Sequence, residues 1–192
     1  MSNRYFAHQT AVIDEGCNIG DNTKVWHFSH IMAGAKLGRD CNIGQNVMIA
    51  NGVVVGDRVK IQNNVSVYEG VIISEDAFIG PSVVFTNIKA PRSFINRKHL
   101  YQNTMIGKGA TLGANTTIIC GNDIGAFAMI GAGAVVTKKI DDYALVIGNP
   151  ARQIGWVSQH GARLTFDEGG IAVCPESGDL YKLMEGKALK LR

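Results

Sequence analysis

Two polar residues, Glu69 and Asn87, lie 18 positions apart in a chain of 192 residues. A carboxylate can accept a proton and an amide can orient a polar group, so the pair suits a reaction in which a nucleophile must lose a proton. Asn51 lies 18 positions before Glu69. If residues 18 apart stack, as the repeat described below indicates, Glu69 and Asn87 lie about 5 Å apart. We predict that this pair is catalytic and that Asn51 contacts the substrate.

The segment Trp26–His30, with the sequence WHFSH, is the densest cluster of reactive side chains. A histidine titrates near neutral pH and is a natural general base. His30 is therefore the rival catalytic residue, and His27 is a candidate for substrate binding. The alternative for both is a histidine on the surface or at a subunit contact.

No metal site is predicted from the spacing of the remaining ligand-type residues. The five histidines do not have the spacing of a three-histidine zinc site, such as that of a β-helical carbonic anhydrase, and no cysteine pair has zinc-ligand spacing. Cys17 and Cys41 stand two positions before a core residue, where other repeats have small residues. We expect them to fill the core.

The element that must position these residues is a six-residue repeat. A period of six fits neither an α-helix nor simple strand alternation, and it is typical of a parallel β-helix built from hexapeptides. Three hexads make one triangular coil, so residues 18 apart stack and about six coils are expected. The nineteen positions of the repeat are all apolar: Ile13, Ile19, Val25, Ile31, Leu37, Ile43, Ile49, Val55, Ile61, Val67, Ile73, Ile79, Phe85, Ile106, Leu112, Ile118, Ile124, Ile130 and Val136.

The repeat is interrupted once, between Phe85 and Ile106. We interpret Lys89–Gln102 as an excursion loop, because long loops on a rigid scaffold often carry function. The alternative is an idle surface excursion. We assign residues 1–155 to the solenoid, including the loop at 89–102, and residues 156–192 to a C-terminal extension. The extension is expected to cap the last coil with a short β-hairpin, followed by a helical turn through Leu183–Leu189.

Small residues dominate the later corners of the solenoid. Stacking by 18 predicts one column of Ala114, Ala132 and Pro150 and another of Lys108, Ala126 and Ala144. Such an outer groove can hold a thin, extended ligand, with phosphates near Lys138, Lys139 and Arg152. The alternative is that these corners are simply well packed.

Composition excludes several function classes. The net charge of +3 is mild, and no basic stripe is interleaved with aromatic residues, so nucleic-acid binding is not expected. No apolar run approaches the roughly 20 residues that span a bilayer, so no membrane contact is expected. The first ten residues, MSNRYFAHQT, lack the apolar core of a signal peptide. We expect a cytoplasmic protein.

The hexads resemble the left-handed β-helix acyltransferases of the hexapeptide-repeat superfamily. The resemblance covers about residues 11–155 and includes the endings Gly131–Lys138 and Ile147–Arg152. In that family this ending contacts acyl-CoA. The resemblance therefore implies acetyl-CoA as cosubstrate, bound by the residues Ala114, Ala132, Lys138, Asn149, Pro150 and Arg152.

Three motifs narrow the resemblance: VWHFSHI at 25–31, VSVYEGV at 65–71 and FTNIKAPRS at 85–93. They are similar to bacterial nucleotide-sugar N-acetyltransferases that acetylate a 3-amino sugar. The implied acceptor is a UDP-linked amino sugar of the 2-acetamido-3-amino-2,3-dideoxy-glucuronate type, used in O-antigen and lipopolysaccharide synthesis. Arg92, Ser93 and Arg97 would hold its carboxylate or pyrophosphate. Many relatives have aspartate where this chain has Ile88, so no acid acts at that position.

The resemblance also implies an assembly, a homotrimer with active sites between neighbouring prisms. Two other functions remain open. One is an O-acetyltransferase acting on a sugar or on serine, which a screen of amine against hydroxyl acceptors would separate. The other is a non-catalytic β-helical scaffold, which would explain the hexads but not the loop or the Lys138–Arg152 ending, and which would not bind CoA.

Overall fold

The chain is a β-solenoid in a computed structural model that describes residues 5–191. Short strands form three sheets that make the sides of a triangular prism, named here faces A, B and C. Within residues 5–191 no helix is long and apolar enough to cross a membrane. Face A has ten strands: β1 (Phe6–Ala7), β4 (Lys24–Val25), β7 (Asn42–Ile43), β10 (Lys60–Ile61), β13 (Phe78–Ile79), β16 (Thr111–Leu112), β18 (Met129–Ile130), β20 (Ala144–Ile147), β21 (Arg152–Val157) and β22 (Arg163–Leu164).

Faces B and C have seven and five strands. Those of face B are β2 (Val12–Ile13), β5 (His30–Ile31), β8 (Met48–Ile49), β11 (Ser66–Val67), β14 (Val84–Phe85), β17 (Thr117–Ile118) and β19 (Val135–Val136). Those of face C are β3 (Asn18–Ile19), β6 (Lys36–Leu37), β9 (Val54–Val55), β12 (Val71–Ile73) and β15 (Thr104–Ile106).

The strands stack in parallel with the predicted register. On face B, His30 pairs with Met48 and Met48 with Ser66, each 18 residues on. The other sides repeat in the same way except across the excursion loop and in the last coil, so elsewhere residues 18 apart lie above one another. The seven strands of face B are close to the predicted six coils. The predicted fold class, an all-β left-handed parallel β-helix, is confirmed.

The apolar column forms the core. All of its members are buried except Ile13 and Ile19, which lie in the first coil and pack against the core from its open end. Cys41 is buried and Cys17 is partly buried. Each thiol donates a hydrogen bond 3.1 Å long to a backbone carbonyl. Both cysteines fill the core, as predicted.

The excursion loop lies between β14 and β15. Val71 of β12 pairs with Thr104 of β15, 33 residues later, so the chain leaves the solenoid and returns to the same stack. Within Lys89–Gln102 the only regular element is a 3₁₀ helix at Lys98–Leu100. The interruption of the repeat in the sequence therefore marks a real excursion.

The last coil is shorter than predicted. Ile130 pairs with Val146, 16 residues later, because the core position Ile140 follows Val136 after a step of four positions instead of six. The repeat therefore shortens by two residues in its last coil.

This shorter coil overturns the last members of two predicted columns. The register sets Gly148, not Pro150, above Ala132. Ala126 lies against Asp142, whose carboxylate accepts its N–H at 2.8 Å, while Ala144 is fully buried in β20. After the excursion loop, stacking by 18 holds only up to the coil that contains Ala132.

The C-terminal extension contains a second small sheet. Its strands are β23 (Ile171–Val173), β24 (Leu180–Met184) and β25 (Lys187–Lys190). The predicted hairpin is confirmed, and β21 joins face A beside β20, with Trp156 packed against both the solenoid core and the core of the extension. The division at residue 155 stays a prediction, and residues 1–4 and 192 lie outside the described chain.

The predicted helical turn through Leu183–Leu189 is wrong. Strands β24 and β25 pair there as an antiparallel hairpin. Glu185 and Gly186 form its two-residue turn and both have positive φ, 50° and 72°. Two left-handed residues in succession belong to a type I′ hairpin turn and not to a helix.

Candidate functional site

The predicted catalytic pair lies on the edge where face B turns into face C, named here the B–C edge. Ser66 pairs with Val84 in register, so Glu69 lies one coil below Asn87 and Asn51 one coil below Glu69, each about 4.8 Å away along the stack. Glu69 is exposed and Asn87 is half-buried. Among residues 5–191 neither side chain has a hydrogen-bond or ion-pair partner, so both can bind a ligand.

The excursion loop closes directly over this pair. The Gln102 N–H donates to the Asn87 carbonyl at 2.9 Å, and the Thr104 N–H donates to the Gly70 carbonyl at 3.0 Å. The loop therefore leaves at Asn87 and returns beside Gly70. Gly70 has φ +89°, and a Cβ there would lie 2.8 Å from the Asn103 side-chain oxygen, so the returning chain requires glycine at this point.

The loop brings two of its three predicted binding residues together. Arg92 and Arg97 line a cavity of about 270 Å³ that is formed by the loop itself, with Lys98 and Tyr101 beside them. Ser93 is exposed and is not part of that lining. Ile88 contributes an apolar part of the lining.

His30 lies on face B, two coils below Glu69, about 10 Å along the stack. Within one chain it is therefore not in contact with the Glu69–Asn87 pair. Its Nε2 atom is 2.9 Å from Oδ1 of Asp14, and the other Asp14 oxygen accepts the Ala33 N–H at 3.2 Å. The carboxylate fixes the imidazole, which is the arrangement of a general base with its orienting acid.

Asp14 is a residue that sequence reasoning missed. It lies 16 positions before His30, so the 18-residue stacking rule does not pair the two. The signal was the strand alternation: Val12 stacks beneath His30, and Asp14 is the next outward residue after Val12.

His27 lies on a different edge, where face A turns into face B, named here the A–B edge. Its ring stacks on that of His8 with centroids 3.5 Å apart. It also lines a groove of about 270 Å³ with Trp26, Gln45 and Asn63, none of which was predicted to be a site residue. An indole beside side-chain amides can pack on and hydrogen-bond to a neutral polar ring.

The residues predicted to contact acetyl-CoA are spread over one end of the prism. Ala114 and Ala132 stack on the A–B edge, where glycines 113 and 131 keep the surface narrow. Asn149 and Pro150 lie in the turn between β20 and β21, and this turn crosses the end of face B, since Ala151 N–H donates to the Val135 carbonyl at 2.8 Å.

Two of the three residues predicted to lie near the phosphates, Lys138 and Arg152, are separated. Lys138 follows β19 on the B–C edge, and Arg152 begins β21. Both side chains are exposed. The predicted cosubstrate residues therefore share one end of the solenoid but not one pocket within a single chain.

One cysteine in the extension has an unusual environment. Burial acts to raise the pKa of the Cys174 thiol, but hydrogen bonds from the Ser158 and Ser177 hydroxyls and from nearby backbone N–H groups lower it to about 7. The Cys174 sulfur is 3.1 Å from the Ser158 hydroxyl.

Residues 5–191 hold no group of three histidine, cysteine or acidic side chains that could bind a metal ion.

Two families of hexapeptide-repeat proteins match this chain. The family described as bacterial transferase hexapeptide (six repeats) matches residues 16–51 and 52–87, and the hexapeptide repeat of succinyl-transferase matches residues 34–69 and 103–138. Together these matches cover most of the solenoid.

The similarity to one characterised enzyme extends over nearly the whole chain. The chain is 45% identical over 187 residues to the dTDP-3-amino-3,6-dideoxy-α-D-galactopyranose 3-N-acetyltransferase of Aneurinibacillus thermoaerophilus, covering 94% of this chain and 92% of that protein. It is also 33% identical over 141 residues to the bifunctional protein GlmU of Paracoccus denitrificans, covering 73% of this chain but only 29% of that protein.

A solved structure has the same fold. A variant of the GDP-perosamine N-acetyltransferase of Caulobacter crescentus, in complex with CoA and GDP-perosamine, superposes with a TM-score of 0.54 at 24% identity. The superposition covers 79% of this chain and 58% of that one. At 24% sequence identity this superposition shows a shared fold and nothing more.

Proposed function

The chain belongs to the bacterial hexapeptide transferase family, and we propose that it transfers acetyl from acetyl-CoA to an amino group of a nucleotide-linked sugar. The observation that carries this proposal is the 45% identity to a nucleotide-sugar 3-N-acetyltransferase over 94% of the chain. Identity of that extent includes the loop and the extension as well as the repeats, which any hexapeptide protein would share.

We further propose that the acetylated position is the 3-amino group. Two acceptors are candidates. The motifs at 25–31, 65–71 and 85–93 favour UDP-2-acetamido-3-amino-2,3-dideoxy-glucuronate, whereas the name of the 45% identical relative favours a dTDP-linked 3-amino-3,6-dideoxy sugar. The acceptors differ in the nucleotide, in the group at C2 (acetamido or hydroxyl), in the configuration at C4 and in the group at C6 (carboxylate or methyl). Synthesis of O-antigen or another cell-surface glycan in the cytoplasm is part of the same proposal.

The reaction is a direct transfer. The neutral 3-amino nitrogen attacks the thioester carbonyl carbon, a C–N bond forms, and the carbonyl oxygen takes the negative charge. The tetrahedral intermediate collapses as the C–S bond breaks, and the nitrogen loses one proton. The products are the N-acetyl sugar and CoA, whose thiolate takes up a proton. Because an amine near its pKa is already a good nucleophile, positioning supplies much of the rate.

Glu69 and Asn87 are proposed to orient the amine, with Glu69 accepting its proton. Two observations support this proposal. The carboxylate and the amide are stacked where the excursion loop leaves the solenoid, and neither has a hydrogen-bond or ion-pair partner among residues 5–191. Backbone N–H groups at a glycine corner would stabilise the oxyanion. The His30–Asp14 pair is the second candidate base, because its geometry is that of an oriented imidazole.

A homotrimer is also proposed. The Glu69–Asn87 pair lies on the B–C edge, whereas the small-residue column Ala114–Ala132 lies on the A–B edge. One prism cannot bring its own two edges together. A second copy that sets its A–B edge beside this B–C edge would complete the site.

The test is mass spectrometry of the products formed from acetyl-CoA and a panel of acceptors. The panel contains the UDP-linked and dTDP-linked 3-amino sugars, each with a carboxylate or a methyl group at C6, and the matching 3-hydroxy sugars and serine. We expect a mass gain of one acetyl group only on the 3-amino sugars. Acetylation of the hydroxyl acceptors instead would identify an O-acetyltransferase.

A non-catalytic scaffold makes a different prediction in the same experiment. It would acetylate no acceptor, and titration calorimetry would detect no CoA binding at millimolar concentration. The absence of any acetylated product together with the absence of CoA binding would overturn the enzymatic proposal.

A further inference from the structure

Gln102 is the last residue of the excursion loop, and its side chain was not among the predicted site residues. Val71 pairs with Thr104, so the register sets Gln102 one coil above Glu69, about 4.8 Å along the stack. Asn87 also lies one coil above Glu69, where the loop departs. The Gln102 N–H donates to the Asn87 carbonyl at 2.9 Å. Two carboxamides, one at each root of the loop, therefore lie over the same carboxylate.

The Gln102 side chain extends up the stack, away from Glu69. The bridge between Ile106 and Ile124 sets Gly121 in the coil above Gln102. A Cβ on Gly121 would collide with the Gln102 side-chain oxygen, so the missing side chain of this glycine leaves room for the carboxamide. The backbone of Gly121 therefore fixes where the carboxamide lies.

The carboxamide of Gln102 is available to a ligand. The residue is exposed, and among residues 5–191 its side chain forms no hydrogen bond. An amide NH2 group has two N–H donors, and both can therefore donate to a bound molecule.

The position of Gln102 along the B–C edge lies between the places proposed for the two substrates. The register of β14 with β17 sets Cys120 one coil above Asn87, and that of β17 with β19 sets Lys138 one coil above Cys120. The amine is proposed to lie at Glu69 and Asn87, and the phosphates of CoA near Lys138. A thioester that reaches from those phosphates to the amine passes the Gln102 carboxamide.

The group that needs an N–H donor at this place is the acetyl oxygen. When the amine attacks the thioester carbon, this oxygen takes the negative charge. A fixed donor aimed at it stabilises the transition state more than the ground state, and a side-chain carboxamide can be such a donor. The carboxylate of Glu69 has no N–H to offer, and Asn87 is proposed to hold the amine.

We propose that the Gln102 carboxamide donates a hydrogen bond to the acetyl oxygen and stabilises the oxyanion of the tetrahedral intermediate. This proposal rests on the proposed function and adds a side-chain donor to the backbone N–H groups of a glycine corner. Gln102 forms and breaks no covalent bond and keeps its protons. The negative charge on the oxygen passes to the sulfur when the C=O bond re-forms and the C–S bond breaks.

Gln102→Glu in the full-length protein tests the proposal, because an ionised carboxylate has nearly the same shape but no donor. The kcat is expected to fall about 10²–10³-fold, the loss that follows removal of one oxyanion donor. The KM for acetyl-CoA and the KM for the nucleotide sugar are expected to stay unchanged, since the lost contact belongs to the transition state. Gln102→Ala adds no charge beside Glu69 and should lower kcat by about 10²-fold.

Gln9→Glu is the matched control for these variants. Gln9 is an exposed residue of the first coil, so the same chemical change there should leave kcat and both KM values as in the wild type. Steady-state kinetics that follow release of the CoA thiol measure all three constants. Thermal unfolding of each variant shows whether it is as stable as the wild type.

A second pair of variants displaces the carboxamide without changing it. Gly121→Ala puts a Cβ where the Gln102 oxygen lies and should lower kcat about tenfold or more, because a small misplacement of a catalytic group is costly. Gly16→Ala is its control. Gly121 and Gly16 have similar left-handed backbones, with φ +77° and +81°, but a Cβ on Gly16 has no atom within 4 Å. Gly16→Ala should therefore share the backbone strain and keep its kcat.

Three results would overturn the proposal. The first is an unchanged kcat in both Gln102→Glu and Gln102→Ala. The second is a raised KM for the nucleotide sugar at unchanged kcat, which would make the carboxamide a contact to the sugar. The third is a loss of kcat that is matched by a loss of folded protein in thermal unfolding, which would make Gln102 a structural residue.

Failure of this proposal is distinguishable from failure of the proposed function. If the wild type acetylates 3-amino sugars while both Gln102 variants keep their kcat, only the role of Gln102 is wrong. If the wild type acetylates nothing, the proposed function fails and the role of Gln102 fails with it.

Discussion

At the scale of single residues, the central prediction concerns the stacked carboxylate and amide. Glu69→Gln and Asn87→Ala are each expected to lower kcat by about 10²-fold, because each removes a contact that positions or deprotonates the amine. The KM for acetyl-CoA should not change, since neither residue is among those proposed to bind CoA. Steady-state kinetics that follow release of the CoA thiol measure both constants.

Matched controls are available for these variants. Glu15→Gln and Asn18→Ala make the same chemical changes at exposed positions in the first coil and should keep full activity. If Glu69→Gln and Asn87→Ala also keep full activity, the stacked pair is not catalytic. His30→Asn and Asp14→Asn then become the decisive variants, because their 2.9 Å contact is the other oriented base in the described chain.

The positions of these side chains were predictable only in part. Stacking by 18 correctly set Asn51, Glu69 and Asn87 in one column, because backbone register alone decides it. The His30–Asp14 contact was not predicted, because it depends on side chains reaching between coils. The cavity of the loop was not predicted either, since an excursion has no repeat from which to derive its path.

At the scale of elements, the apolar hexads determine nearly all of the solenoid, and the departures have local causes. The last coil lost two residues because Ile140 follows Val136 after four positions, a step that a strict six-residue count overlooks. The helical turn was wrong for another reason. The segment Leu183–Leu189 contains good helix formers, but pairing with β24 and a glycine at the turn decide its conformation.

Two substitutions in the hairpin turn should change the free energy of unfolding in opposite directions, and a helix at this place would reverse both directions. Glu185 and Gly186 are both left-handed, with φ of 50° and 72°. Glu185→Asn should raise the free energy of unfolding by about 0.5–1 kcal/mol, since Asn tolerates this region, and Gly186→Ala should lower it by about 1 kcal/mol.

A helix at the same place would reverse both signs, because Glu and Ala are better helix formers than Asn and Gly. Urea unfolding with circular dichroism measures the two free energies. Glu168→Asn, at an exposed position outside the strands of the extension, is the control and should have little effect. A less stable Glu185→Asn together with a more stable Gly186→Ala would show that the hairpin is wrong.

At the scale of the whole molecule, the arrangement of edges connects the fold to the proposed assembly. A triangular prism presents three separate edges, and the proposed catalytic pair lies on the B–C edge whereas the small residues proposed to hold CoA, Ala114 and Ala132, lie on the A–B edge. The sequence repeat predicted which residues share an edge. It could not show how prisms pack, because that depends on the outward side chains of the faces and not on the buried column.

The last prediction tests whether two chains build one site. An inactive chain carrying Glu69→Gln/Asn87→Ala is mixed with one carrying Ala114→Trp/Ala132→Trp, which fills the small-residue column of the A–B edge, and the mixture is unfolded and refolded together. If each site takes its catalytic pair from one chain and its CoA contacts from the next, random trimers contain about one intact site in four. Activity should then rise to about a quarter of the wild-type value. Mixing without refolding is the control and should leave both variants inactive. A refolded mixture that contains mixed trimers by native mass spectrometry but shows no gain in activity would mean that every site lies within a single chain.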